Sequence, residues 1–388
     1  MSAASSFVTY QFDFYLQGLA GKQSLLPLRY EDLEARARDV VEPGPFWYVA
    51  GGAGEDTLRA NREAFRRYRI VPRMLRDVSV RDLSIRLLNT DLKVPLLLAP
   101  IGVQGVIHPA AEIAVARAAA SLGIPLILST LSSHPLEQVA EAMGEVPRWF
   151  QLYWPKDGEL TKSLLTRAES AGFSALVVTL DTKMLGWRVR DLEQGYLPLL
   201  TGQGLANYFT DPVFRAALKV PPEQDRQAAI MAWREVFTDP SQTWDDLASL
   251  REHTRLPIVL KGIQHPDDAR LAAELGIDGI IVSNHGGRQV DGAIGALEAL
   301  PAIVAAVGQR LPILFDSGIR TGADMVKALA LGANAVLLGR PYIWGLALAG
   351  EAGVCEVVQR LLADFDLTLG LAGYNSVHQL GPAALSQA

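Results

Sequence analysis

The 388-residue chain has little of what would place it outside ordinary globular proteins. It holds one cysteine, Cys355. A single thiol closes no internal disulfide. With no CxxC pair and no Cys/His cluster, no metal site is expected. Cys355 reads as a packed thiol on a late helix. No run of 18 apolar residues occurs, which argues against a helical membrane span. The opening MSAASSFVTYQFDFYLQG lacks a basic stretch followed by an apolar core, so no signal peptide is expected. The closing LSQA is not the peroxisomal tripeptide. These absences point to the cytoplasm. Charge of one sign is also scarce. Lys and Arg number 36 against 42 Asp and Glu, a net −6, which argues against a nucleic-acid surface.

What the chain does have is a recurring unit, a short apolar run followed by a helical stretch. The runs are VPLLLAP (94–100), IPLILST (124–130), RWFQLYW (148–154), SALVVTLD (174–181), LPIVLKG (256–262), GIIVSNHG (279–286), LPILFDSG (311–318) and NAVLLGRP (334–341). Near-continuous apolar runs suit strands buried on both faces. Intervening stretches such as 265–276 and 321–332 are amphipathic and end in glycine, a helix stop. Eight such units predict an α/β fold, a (β/α)8 TIM barrel. The expected layout is one domain over 1–388. It has an N-terminal cap at 1–93, with helices near 30–41 and 57–68. The barrel covers 94–348, and helices follow at 349–388. The connection at 187–243, after strand four, is too long for a plain βα loop and reads as a lid. Trp187, Tyr208, Phe209, Phe214 and Trp233 favour an ordered, packed lid, and it carries no basic excess for a membrane surface.

Polar residues gather where strands end: Gln151, Tyr153, Asp181, Lys261, Asn284, His285, Asp316 and Arg340. Active sites of such barrels lie at that face. In SNHGGRQVDG (283–292) a histidine is followed by two glycines, which let backbone approach a ligand, and by Arg288, whose planar fork matches a carboxylate. The plain alternative is a structural histidine beside a surface arginine. Asp181 ends an apolar run and could stabilise a protonated imidazole. Arg188 could bind a second carboxylate oxygen, or both could belong to a salt-bridged loop. Lys261 could form a Schiff base or offset negative charge on a cofactor. Arg320 and Arg340, in glycine-rich loops after strands seven and eight, occupy the usual phosphate position of barrels.

At these residues the chain resembles, essentially end to end, the FMN-dependent 2-hydroxy acid oxidases and dehydrogenases. QGLAG, YVAGGAGEDTLRANREAF, VPRML, LAPIG, VTLDT, GWRVRDL and LANYFTDPVFRAAL resemble the lactate 2-monooxygenase subgroup, and SNHGGRQ the wider family. The resemblance implies FMN as cofactor, small L-2-hydroxy acids such as lactate as substrates, O2 as acceptor, and a homotetramer or higher homo-oligomer. His285 would be the base and Asp181 its partner. It would take either the Cα proton or the hydroxyl proton. Arg188, Arg288, Tyr48 and Tyr153 would hold the substrate. Pro100, Ile101 and Gly102 would lie against the flavin. Ser129, Gln151, Thr179, Lys261 and Ser283 would bind its ring and ribityl groups. Asp316, Ser317, Gly318, Arg320, Gly339 and Arg340 would hold the ribityl chain and phosphate. Many oxidases of the family carry alanine in place of Gly102. The missing methyl is expected to open space beside the flavin, changing oxygen access or product retention, or else to admit a bulkier substrate. The expected outcome is acetate, CO2 and water. Release of keto acid and H2O2, or transfer to another acceptor, is the alternative. NHGGRQVDG stands where the subgroup carries THGGRQANG, and the segment after Tyr48 is one residue shorter; both favour a plain oxidase. A flavin-free lyase using Lys261, a flavin-binding barrel acting on a phosphorylated metabolite, and a non-catalytic flavin binder are the rival classes.

Overall fold

The computed structural model describes residues 9–22 and 24–387. Its centre is a closed barrel of eight parallel strands in sequence order. They are β1 (Leu96–Leu98), β2 (Leu126–Ser129), β3 (Arg148–Leu152), β4 (Leu176–Thr179), β5 (Ile258–Ile263), β6 (Gly279–Val282), β7 (Ile313–Phe315) and β8 (Ala335–Leu338). Every residue of β4 and β8 is buried. One side of each strand faces the barrel interior and the other the helical ring, so the strands are mostly apolar and the polar residues Ser129, Gln151, Thr179 and Lys261 fall at or near their C-terminal ends,.

The ring comprises α1 (Ala111–Leu122), α2 (Leu136–Met143), α3 (Gly158–Ser170), α4 (Leu247–Glu252), α5 (Pro266–Glu274), α6 (Ala296–Val307), α7 (Gly322–Ala330) and α8 (Arg340–Leu371). Local chemistry sets their starts. Asp157 caps α3 by accepting from two backbone N–H groups, and Thr321 with Asp324 forms a capping box on α7,. Helix α8 breaks its dihedrals at Ala349 and Gly350 and then continues.

The N-terminal segment forms helices Tyr30–Val40, Pro43–Ala50 and Asp56–Arg66 and is laced to the barrel mouth. Ala53 N donates to Gly287 O at 2.8 Å, and Asn61 exchanges amide hydrogen bonds of 2.9 and 2.7 Å with Asn284. Phe46 stacks on Trp344 at 5.1 Å. The helical expectation for 349–388 holds only through Leu371. Beyond it come two short 3-10 turns and the strand Leu385–Gln387, which pairs antiparallel with Tyr68–Ile70. Backbone pairing with a distant strand overrides local preference there.

The insert at 187–243 is ordered, with helices Val189–Glu193, Ala206–Phe209, Pro212–Ala216 and Arg226–Val236. Tyr208, Phe214 and Trp233 are buried. Trp187 is not; at 76% exposed it lies outside the packed cluster. Asn207 pins the insert to the barrel, accepting from Leu136 N at 2.8 Å and donating to Thr130 O at 2.9 Å.

Candidate active site

A cleft opens at the C-terminal mouth of the barrel. Tyr48, Pro100, Ile101, Gly102, Tyr153, Arg188, Lys261, His285, Arg288, Asp316, Ser317, Gly318, Arg320, Gly339 and Arg340 border it. Five sequence-predicted residues stand behind this wall. Ser129, Gln151 and Thr179 form a buried chain: Ser129 Oγ donates to Gln151 Oε1 at 2.9 Å, and Gln151 Nε2 donates to Thr179 Oγ1 at 2.8 Å. Ser283 accepts from Lys261 Nζ and from His285 N, each at 3.0 Å. Asp181 sits behind His285.

His285 follows β6 with φ of +58°, a conformation a non-glycine residue keeps only when its surroundings enforce it. Its Nδ1 lies 2.7 Å from Asp181 Oδ1. A carboxylate there fixes Nδ1 as the protonated nitrogen and leaves Nε2 to accept a proton. Burial pushes the imidazole below its usual value. Asp181 opposes this shift, and Lys261 and Arg188 add to it. The neutral form is therefore the resting one. Burial works to raise Asp181, but His285 and Lys261 outweigh it and hold the carboxyl at about 2.

Arg188 and Arg288 meet beside this pair. Arg288 donates to Tyr48 O and Gly51 O, and its guanidinium lies 5.2 Å from the Tyr48 ring centre. Burial, then repulsion from Arg188, pushes Arg288 down to about 9. Arginine stays charged regardless. The depression measures how poorly that charge is compensated, and an anion would relieve it. Arg188 donates to Gln289 Oε1 at 3.0 Å, and Gln289 Nε2 donates to Asp181 O at 2.7 Å. Gln289 thus ties the arginine to the loop of the base pair. Thr182 does similar work, donating to Asp181 Oδ1 at 3.1 Å. Both residues stood within quoted motifs, but nothing in their type announced a clamp. Val49, Val103, Leu131 and Leu337 also line the cleft; as apolar residues they carried no chemical signal.

Two further cations close the other end. Arg340 donates to Val49 O at 2.9 Å, Gly51 O at 3.0 Å and Gly286 O at 3.1 Å. Burial and the nearby Arg320 push it down to about 10. Arg320 Nε is buried with no hydrogen-bond partner. Among the described residues no carboxylate reaches salt-bridge distance of either. This end suits a dianionic phosphate. Lys261, paired with Asp316 at 3.5 Å, is raised against the pull of burial by Asp316 and Asp181. The ion pair favours the charged lysine over the neutral amine a Schiff base needs,. The residues therefore fit FMN: a phosphate seat, a cationic side chain for an anionic ring, and an apolar floor at 99–103.

Gly102 departs from expectation. A Cβ built there would lie 2.7 Å from Leu131 O and 3.2 Å from Ser129 Oγ. Val103 N donates to Leu131 O at 2.7 Å. The loop has closed into the space an alanine methyl would use, so the glycine opens no room beside the flavin seat.

Comparison with known proteins gives the same picture. The FMN-dependent dehydrogenase family profile matches residues 37–387. An FMN-dependent alpha-hydroxy acid dehydrogenase of Penicillium citrinum is 51% identical, covering 89% of this chain and 87% of its own length. An L-lactate oxidase of Lysinibacillus sphaericus is 47% identical, covering 92% of each. A crystal structure of mandelate oxidase with (S)-4-hydroxymandelic acid superposes with a TM-score of 0.82 at 41% identity, covering 93% of this chain and 99% of that one. The chain belongs to the FMN-dependent α-hydroxy acid oxidase and dehydrogenase family.

Proposed function

We propose that the protein oxidises small L-2-hydroxy acids of the lactate class to 2-keto acids, with O2 as the final electron acceptor. The observation that carries this reading is the convergence of His285 and two arginines on one wall of the cleft, with Asp191, 3.8 Å from Arg188, the one carboxylate within ion-pair distance of either among the described residues. FMN would supply the two-electron acceptor here; Arg320, Arg340, Ser317 and Gly318 would hold its phosphate end, and Lys261, Gln151 and Thr179 its ring. Arg188 and Arg288 clamp the substrate carboxylate, with Tyr48 and Tyr153 alongside, and so fix the hydroxyl-bearing carbon near His285. Nε2 of His285 accepts a proton from the substrate, and Asp181 stabilises the resulting imidazolium. The electron pair leaves with oxidation of the C–OH carbon to C=O and ends, with two protons, on O2 as H2O2.

Two fates of the product differ. Decarboxylation of retained keto acid by peroxide would give acetate, CO2 and water, as the monooxygenase-like insert sequence suggests. Release of keto acid and H2O2 is the reading the geometry favours. Of the insert only Arg188 borders the cleft, Gly102 adds no holding space, and an L-lactate oxidase is a near relative. Turnover of L-lactate under air, with all products quantified, tests this. Pyruvate and H2O2 in equal amounts are expected. Acetate without peroxide would overturn oxidase release in favour of the monooxygenase. Dye reduction without oxygen uptake would make the protein a dehydrogenase.

A further inference from the structure

Strand β5 is irregular where it reaches the barrel mouth. Its pairing with β6 runs from Lys261–Ile281 to Ile263–Val282, so Gly262 is an extra residue in the ladder. Such a bulge bends the strand and re-aims its neighbours. Gly262 has φ of +107°, which L side chains rarely adopt,. Its bare Cα faces Asp181. A Cβ built at 262 would lie 2.8 Å from Asp181 Cβ and 2.9 Å from both Cγ and Oδ2. Oδ2 is buried without a hydrogen-bond partner, while Oδ1 holds His285 Nδ1 at 2.7 Å. One carboxylate oxygen therefore meets the imidazole while the other lies against glycine backbone. Asp181, Thr182 and Gly262 also border a second cavity behind the pair, shared with Trp154 and Trp244. A displaced carboxylate has somewhere to go.

We propose that Gly262 is a positioning residue for the proton acceptor: the bulge brings side-chain-free backbone against Asp181 and thereby sets its contact with His285. The inference rests on the roles given to His285 and Asp181 above. A methyl at 262 presses on Asp181 Cβ, Cγ and Oδ2 together, and relieving the contact shifts the residue and turns its carboxylate toward the rear cavity. The imidazolium then loses its counter-charge, although neither histidine nor aspartate has been changed.

The test compares FMN-loaded wild type, Gly262→Ala, Asp181→Gly and the double variant. The rate of flavin bleaching on anaerobic mixing with L-lactate is followed across pH. Gly262→Ala is expected to keep its FMN and slow bleaching about 10²-fold, the scale of a small misplacement in an active site. Its acid limb should move to lower pH, because an imidazole without its carboxylate protonates less readily. Asp181→Gly removes all three atoms the new methyl would strike. Adding Gly262→Ala to it should therefore cost much less than in the wild-type background, with only the backbone strain of a side chain at φ of +107° remaining,. If Gly262→Ala loses FMN while the double variant retains it, the conflict is with Asp181 and the proposal stands. Equal losses in both backgrounds, in rate or in FMN, would mean that Gly262 serves only the backbone and would overturn it. So would a Gly262→Ala enzyme with the native rate and pH profile beside an inactive Asp181→Gly. A fully active Asp181→Gly would instead overturn the role of the base pair, a separate outcome.

Discussion

At His285 two opposed demands meet. In the proposed reaction the ring must be neutral beforehand and charged afterwards. Burial, Lys261 and Arg188 favour the neutral form, and Asp181 supports the charged one. The substrate itself shifts the balance. In the proposed reaction a substrate carboxylate held by Arg188 and Arg288 would screen the nearer cation and raise the basicity of Nε2 as it binds. This coupling makes the arginines more than a clamp. Arg288→Lys keeps the charge and loses the planar fork. Charge-assisted hydrogen bonds contribute about 1.5–3 kcal/mol, so kcat/KM for L-lactate should fall roughly ten- to hundredfold, with KM and kcat both affected. Steady-state kinetics decide this; an unchanged kcat/KM would remove Arg288 from the carboxylate site.

At the scale of elements, loops outside the barrel repeat supply much of the wall, and their anchoring is polar. Asn207 is fully buried and satisfies Leu136 N and Thr130 O. Asn207→Ala leaves a donor and an acceptor orphaned and should cost about 1–3 kcal/mol, read as a lower midpoint of unfolding. An unchanged midpoint would mean that the insert is held by its aromatic cluster alone. The barrel strands were legible because burial on both faces leaves only apolar side chains between turn residues. The chemistry-bearing residues were legible because they interrupt those runs at their C-terminal ends. Other features depend on contacts between distant segments. Leu385–Gln387 is a strand only because Tyr68–Ile70 lies beside it. Trp187 is aromatic yet solvent-facing. Gly102 and Gly262 are small for opposite neighbours, the Leu131 carbonyl and the Asp181 carboxylate, and neither neighbour is near in sequence. Thr182 and Gln289 act through geometry that their types do not announce.

Over the whole molecule, the cleft concentrates buried positive charge in a protein whose net charge is −6. Arg188, Arg288, Arg320 and Arg340 line one cavity, and in the proposed reading they serve two anions, a phosphate and a carboxylate, at its opposite ends. Buried unpaired charge is costly, so phosphate binding should contribute strongly to FMN retention. Arg340→Ala should weaken FMN about ten- to hundredfold and leave riboflavin affinity unchanged, as measured by fluorescence titration of the apoprotein; an equal loss for both ligands would place the phosphate elsewhere. The central claim is that His285 accepts the substrate proton over an FMN held in this barrel mouth. Its most direct test is anaerobic mixing of FMN-loaded His285→Gln with L-lactate. The variant should bind FMN normally and bleach it at least about 10²–10⁴-fold more slowly than wild type. Bleaching within a few-fold of wild type would contradict the account.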